Sequence, residues 1–185
     1  AVDTLGSPEA LSVHGQFRPE VPPGPLPGRL GPSAALGVLG DSMVIVLDGM
    51  AATLRWLRPS EGGLREVRRV QLPWSSRAMT DSDREFALDA VEARVGPLMG
   101  DPEYPDRLPG GDMVEVSPTG SVWVRKGGTG SVGQAEVWQE YSSTGDVGRS
   151  VTLPKTSRAL AFGKDVVLAT RTDALGVLFL RLFRL

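Results

Sequence analysis

The chain has 185 residues, of which 41% are apolar and 23% charged, and carries a net charge of −2. That composition fits one globular domain with a sizeable core and offers no basic field to draw in nucleic acid. It contains no cysteine, which excludes disulfides and thiolate chemistry, and no apolar run reaches the roughly 18 residues of a membrane-crossing helix.

The 23 glycines and 15 prolines favour short strands joined by many turns over a helical bundle. Residues 1–33 form a Pro-rich arm. Ala10-Leu11-Ser12-Val13 reads as a short strand, and Val21 to Gly28, with Pro22, Pro23, Pro25 and Leu26, reads as an extended segment because each proline removes a backbone donor. The initial Ala1 is compatible with removal of a signal peptide.

The pattern changes at residue 34, where the folded domain, 34–185, begins. Leu36 to Leu39, a Gly40-Asp41 turn and Met43 to Leu47 make an apolar hairpin; Thr53 to Arg58 alternates as a half-buried strand; Arg65 to Leu72 is a polar outer strand. Next comes the one helical segment, about 80–96, with several candidate N-caps in Thr80-Asp81-Ser82-Asp83, Glu85 spaced for a capping box with Ser82, an apolar stripe of Phe86, Ala90, Val91 and Val95, and a Gly96-Pro97 stop. Gly100 to Gly111 reads as a loop. A second hairpin spans Met113 to Val124 through a Pro118-Thr119-Gly120 turn; Lys126 to Ser131 is a glycine-rich loop; Ala135 to Tyr141 and Arg149 to Leu153 complete a second four-stranded unit. Leu160 to Phe162, Val166 to Ala169 and Val177 to Leu185 give three more strands. The last is apolar on both faces, which predicts burial.

These units repeat one another. Val38–Val46 aligns without gaps with Val116–Val124, and Ala161–Ala169 aligns with a looser turn. Leu72-Pro73-Trp74-Ser75-Ser76-Arg77-Ala78 matches Leu153-Pro154-Lys155-Thr156-Ser157-Arg158-Ala159, with a fainter copy at Leu26-Pro27, and Trp56 and Trp138 fall in equivalent third strands. Self-similarity over about 40 residues, four strands at a time, predicts an all-β protein of antiparallel propeller-like blades with the helix inserted between two of them. A two-sheet sandwich with similar hairpins is the competing architecture.

The hairpin Ser117-Pro118-Thr119-Gly120-Ser121-Val122-Trp123-Val124 resembles the Asp-x-x-Gly-x-hydrophobic-Trp-Val element of bacterial six-bladed β-propellers of the NHL-like kind, with Ser117 where those proteins carry Asp. The order of elements over about residues 26–185 resembles their C-terminal half. The resemblance implies a ring of six blades, whereas this chain supplies about 2.7, with three strands in the last. Asp3 to Val13 is a candidate for the missing outer strand.

No catalytic constellation emerges. His14 is the only histidine and has no metal-spaced neighbours; no nucleophile elbow is present; Gly127-Gly128-Thr129-Gly130 lacks the Lys and helix of a phosphate loop. Asp81, Asp83, Glu85, Asp101, Glu103 and Asp106 lack calcium-loop spacing, and Arg65, Arg68 and Arg69 read as a solvated edge. Trp56, Trp123 and Trp138 are expected in the core, and Trp74, in a connector, at the surface.

The expected function is a non-catalytic interaction or scaffold module with no cofactor and no bound metal. Its expected partner is another protein or a second copy of itself, held through Trp74, Pro22, Pro23, Pro25, Leu26 and Phe183. The expected setting is periplasmic or otherwise extracytoplasmic, and one form of such a module is an accessory subunit on the periplasmic side of a membrane-bound electron-transfer or photosynthetic complex. The alternative is a fragment of a ligand-binding or hydrolytic six-bladed propeller whose site residues lie elsewhere; a lactonase-like metal site draws on channel carboxylates and Asn, and the chain has no Asn.

Overall fold

The computed structural model describes residues 34–40, 42–95, 104–128, 135–173 and 175–185. Sheet 1 runs in chain order through β1 (Ala34–Leu39), β2 (Met43–Asp48), β3 (Thr53–Ser60) and β4 (Gly63–Gln71). A connector follows with β5 (Arg77–Ala78), helix α1 (Asp81–Val95) and β6 (Arg107–Leu108). Sheet 2 is β7 (Gly111–Val116), β8 (Val122–Lys126), β9 (Val137–Tyr141) and β10 (Val147–Thr152), again in meander order. Sheet 3 is β11 (Ser157–Phe162), β12 (Val166–Thr172) and β13 (Leu178–Arg184). All pairings are antiparallel.

The sheets stack face to face through their first strands: β7 lies against β1 and β2, and β11 lies against β7. Four-stranded meanders stacked from the inner strand outward are propeller-like blades, and no sheet closes into a barrel among the described residues.

The repeat seen in the sequence is a repeat of structure. Val38 pairs with Val44, and Val116 pairs with Val122, at the same place in each hairpin. The third hairpin differs by a register shift between Ala159 and Ala161, which accounts for its looser turn. Each Leu-Pro marker anchors the end of a fourth strand: Leu72 N–H donates to Ala52 O, and Leu153 N–H to Glu136 O, both at 2.8 Å. From these anchors Trp138 corresponds to Leu54, and Trp56 to Glu140. The two tryptophans therefore share a strand and a face but sit two residues apart.

Side-chain alternation divides each sheet between its neighbours. Ile45, Leu47, Leu54 and Trp56 of sheet 1 meet Val114, Val122, Val124 and Tyr141 of sheet 2 in one buried cluster. Trp123 and Trp138, on the opposite face of sheet 2, meet Phe162, Val167 and Ala169 of sheet 3 in another. Trp56, Trp123 and Trp138 are fully buried, as expected. Trp123 stacks on Phe162 with ring centroids 4.3 Å apart. Burial of each such ring stabilises the stack by a few kcal/mol.

Three of the hairpin turns share one device. Ser117 N–H donates to Ser121 O, Gly120 N–H donates to Ser117 O, and Ser117 Oγ accepts from Ser121 N–H at 3.1 Å. Ser142 to Asp146 repeats this arrangement, with Ser142 Oγ accepting from Asp146 N–H at 3.0 Å. Asp173 to Val177 repeats it with a carboxylate, Asp173 Oδ1 accepting from Leu175 and Val177 N–H at 2.9 Å. Ser117 thus does with a hydroxyl what Asp173 does with a carboxylate, and in each turn the fourth residue is a Gly at positive φ.

Four expectations are corrected. Of the candidate caps it is Thr80 that caps the helix, and the capping box is Thr80 with Asp83 rather than Ser82 with Glu85: Thr80 Oγ1 accepts from Asp83 N–H, and Asp83 Oδ2 accepts from Thr80 N–H, because Thr80 is the residue just outside the first turn. The return from Gly100 to Gly111 is not all loop, since Arg107–Leu108 pairs with Arg77–Ala78 and gives Leu108 a place beside Met79 and Ala87. Lys126, expected in a loop, ends β8. The terminal strand is not buried: Leu178, Leu180 and Leu182 are 64%, 68% and 70% exposed, because β13 is the outermost strand of sheet 3 and no further sheet covers it among the described residues. Phe86, Ala90, Val91 and Val95 lie outside the described side chains, and Ala10–Val13, His14, Gly96, Pro97, Asp101, Glu103, Thr129 and Gly130 lie outside the described residues.

Candidate functional site

Two polar clamps fix sheet 3 on sheet 2. Arg125, at the end of β8, is 2% exposed and occupies the place that Leu47 fills in sheet 1. Its Nε donates to Asp112 Oδ1 at 2.7 Å and its Nη1 to Glu136 Oε1 at 3.0 Å. Glu136, 1% exposed, also accepts from Trp138 Nε1 at 3.0 Å, from Arg158 Nη1 at 3.3 Å and from Ala159 N–H at 2.9 Å. The last two donors belong to β11. Burial alone lowers the pKa of Arg125, but Asp112 and Glu136 outweigh it and hold the guanidinium above its ordinary value. The second clamp is Arg149, which pairs with Glu140 at 2.9 Å within sheet 2, donates to Lys164 O at 2.6 Å in the β11–β12 turn, and lies over the Trp123 ring.

So fixed, sheet 3 presents a far face of exposed leucines and threonines, with Arg158 beside Thr170 on β11 and Arg184 beside Val166 at the turn end. Cross-strand pairing puts Ala161, Leu168 and Leu182 in one row, Thr170 and Leu180 in the next, and Thr172 with Leu178 in a third. Val166 adds a further exposed apolar side chain at the turn end. By the internal repeat, Leu180 stands where Leu54 and Trp138 stand, and Leu182 where Trp56 and Glu140 stand. Those four are at most 8% exposed; Leu54, Trp56 and Trp138 are covered by the next sheet, and Glu140 is held by Arg149. The same positions on sheet 3 are open.

Of the residues singled out in the sequence, Trp74 is half-buried against the first core cluster rather than projecting from the connector, because the β4–β5 turn folds it back onto Ala52 and its neighbours. Phe183 is half-buried against the second cluster, on the face of β13 opposite Leu182. The two are therefore not on one surface. Pro22, Pro23, Pro25 and Leu26 lie outside the described residues. Among the described residues no three of His, Cys, Asp and Glu gather in a way that would hold a metal ion. Asp83 instead binds Arg77 at 2.6 and 2.7 Å, and Arg69 of the basic run pairs with Glu66, which also binds Arg55. A cleft of about 590 Å³ opens between the β1–β2 and β7–β8 turns, lined by apolar and hydroxyl side chains such as Val38, Met43, Pro118 and Thr119.

Sequence reasoning missed both clamps and the open face of sheet 3. A signal existed for the first clamp: Arg125 interrupts the run Val122-Trp123-Val124 where the sister hairpin continues with Leu47. The fold and surface define an all-β protein of stacked propeller-like blades. Comparison with protein-family models and with curated proteins gives no match. No helix among the described residues is long and apolar enough to cross a membrane.

Proposed function

We propose that the protein is a non-catalytic interaction module that holds another protein against the far face of sheet 3. One observation carries this reading: Leu180 and Leu182 are about 70% exposed at positions where the chain's own repeats bury their counterparts completely or nearly so. An apolar sheet face of this kind costs solubility and finds its stability in a cover. The clamps at Glu136 and Arg149 give the surface a rigid base, so docking needs little rearrangement. The resemblance to NHL-like propellers belongs to this reading, as do, separately, an extracytoplasmic setting and membership of a larger assembly.

The test is a photo-activated cross-linker placed at Leu180 in cells that make the protein, with Val147, exposed on β10, as the control position. A discrete adduct at 180, lost on Leu178→Arg with Leu182→Arg and missing at 147, is the expected result. Equal labelling at both positions, or none at 180, overturns the docking reading.

A further inference from the structure

The outer strands of sheet 1 carry two facing pairs of arginines. Arg55 stands directly opposite Arg69 across β3 and β4, and Arg58 directly opposite Arg65. Like charges so placed repel, because facing Cβ atoms in such a pair lie only about 5 Å apart. The first pair is relieved from within the chain. Glu66 Oε2 accepts from Arg55 Nε at 2.6 Å and from Arg69 Nη2 at 2.9 Å, so one carboxylate joins both cations. The second pair has no such relief. Arg58 and Arg65 are exposed, and neither guanidinium enters an ion pair or a hydrogen bond among the described residues. Glu61, in the turn between the two strands, pairs with neither.

The two pairs lie on opposite faces. Alternation along β3 puts Arg58 on the face of Leu54 and Trp56, which meets sheet 2. The register shift between Trp56 and Leu57 leaves Val67 as an extra residue in β4, so Arg65 and Arg68 both fall on this face. Arg68 is engaged by sheet 2: a methyl on Gly145 would lie 3.1 Å from its Nε. After Thr144 and Ser142, its charge also helps to hold Asp146 below the usual carboxylate range. The basic run Arg65, Arg68 and Arg69 is therefore not one solvated edge. Arg69 belongs to Glu66, Arg68 to the β9–β10 turn, and Arg65 is left facing Arg58.

Twice the chain answers two arginines with one glutamate. Glu66 joins Arg55 and Arg69, and Glu136 Oε1 accepts from Arg125 Nη1 at 3.0 Å and from Arg158 Nη1 at 3.3 Å. Arg58 and Arg65 form a third pair of this kind without its carboxylate. We infer that an acidic segment of a partner protein supplies it, placing a Glu or Asp side chain between Arg58 and Arg65. Two guanidinium forks offer parallel donors that match a carboxylate. Charge complementarity favours this occupant over a polyanion. Glu61 and Asp146 flank the arginines, and the chain as a whole carries a net charge of −2, so the positive field is local and is cut short along a row of phosphates. This contact lies on sheet 1, apart from the far face of sheet 3, and neither depends on the other.

The test uses the full chain and a short fluorescein-labelled peptide of alternating Glu and Ser, with fluorescence anisotropy read at physiological salt. An oligothymidylate of the same length and vesicles containing phosphatidylglycerol are run beside it. Peptide binding is expected, and Arg58→Gln with Arg65→Gln should weaken it by about tenfold or more, the scale for losing hydrogen bonds to a charged group. Arg181→Gln with Arg184→Gln removes the same charge from exposed positions of sheet 3 and should leave binding unchanged. Arg65→Glu gives Arg58 an internal carboxylate, as Glu66 gives Arg55, so it should abolish binding while melting holds or rises. Equal loss in the two glutamine double variants, or no binding at the highest soluble peptide concentration, overturns the inference. Tighter binding of the oligonucleotide or the vesicles through the same two arginines overturns it too, because the occupant is then a phosphate. A lower melting temperature for Arg58→Gln with Arg65→Gln overturns it as well, since the chain itself then supplies the missing carboxylate.

Discussion

Glu136 accepts the backbone N–H of Ala159 through Oε2 at 2.9 Å, so a carboxylate just ahead of β9 satisfies a donor on the first strand of the next sheet. The same carboxylate neutralises Arg125, which has no route to water, and holds Trp138 Nε1. Glu136→Ala therefore takes the acceptor from two buried donors, Arg125 Nη1 and Trp138 Nε1, and from the half-buried N–H of Ala159. Its expected cost is about 3–5 kcal/mol, the scale for breaking a buried pair from one side. Glu136→Gln, which keeps an acceptor but not the charge, costs less. Urea unfolding of the two variants checks the order, and a loss below 1 kcal/mol for the alanine variant would sink the clamp.

The three sister turns predict a graded glycine series. Gly120, Gly145 and Gly176 have φ of 88°, 87° and 80°, a region where a Cβ meets its own carbonyl. Alanine at any of them costs about 1–2 kcal/mol through the backbone alone. Space then separates them. A Cβ at Gly176 meets nothing within 4 Å, whereas one at Gly145 lies 3.0 Å from Val70 Cγ2 and 3.1 Å from Arg68 Nε. Gly145→Ala is thus expected to lose the most stability and Gly176→Ala the least, as measured by thermal melts of the three proteins.

What could be read in the sequence was the part that repeats. Hairpins at Val38 and Val116, and the Leu-Pro anchors at Leu72 and Leu153, are local patterns whose spacing carries the strand order and the stacking with it. Three kinds of feature were not local. The Arg125–Glu136–Ala159 clamp joins positions whose pairing depends on how one sheet sits on the next. The β5–β6 pair is two residues per strand, too short to leave a period. The apolarity of β13 is plain in Leu178-Phe179-Leu180-Arg181-Leu182, but alternation shows only that both faces favour cover, not that the chain provides it. Thr80 and Ser82 both offer capping hydroxyls, and only the point where the chain enters the helix decides between them.

Stability should fall in acid. Asp83 is held below the usual carboxylate range first by Arg77 and then by Thr80, Glu140 by Arg149, and Asp146 by Thr144 and Ser142. In each case the folded pKa lies below the unfolded one, so the unfolded chain binds more protons in acid. The stabilisation is complete above the ordinary carboxylate pKa, near 4, and is lost as pH falls through the folded values. Glu115, which burial raises, works the other way, losing its penalty as it protonates. Glu66, lowered by Arg69 and Arg55, joins the other three, and four depressed groups outweigh it. The urea midpoint is expected to hold from pH 7 to about 5 and then to decline. Asp83→Asn should lower the neutral value and flatten the decline; an unchanged slope would show that Asp83 carries none of it.

Phe162 is the main apolar link between sheets 2 and 3. It stacks on Trp123 at 4.3 Å and touches Trp138 at 4.9 Å between centroids, in a cluster to which sheet 1 contributes nothing. Phe162→Ala removes a buried ring from between two fixed indoles that cannot close the gap, and its expected cost is about 3–5 kcal/mol. The loss should be local in form. The cluster of Ile45, Leu54, Trp56, Val122 and Tyr141 joins sheets 1 and 2 without Phe162, so its backbone amides should keep their relative protection. Amides of β11 to β13 should exchange first, by an opening that frees sheet 3 from sheet 2. Hydrogen exchange on the variant decides this: uniform loss of protection across all three sheets would mean that they unfold as a single unit, and that the Trp123–Phe162 stack is not the seam.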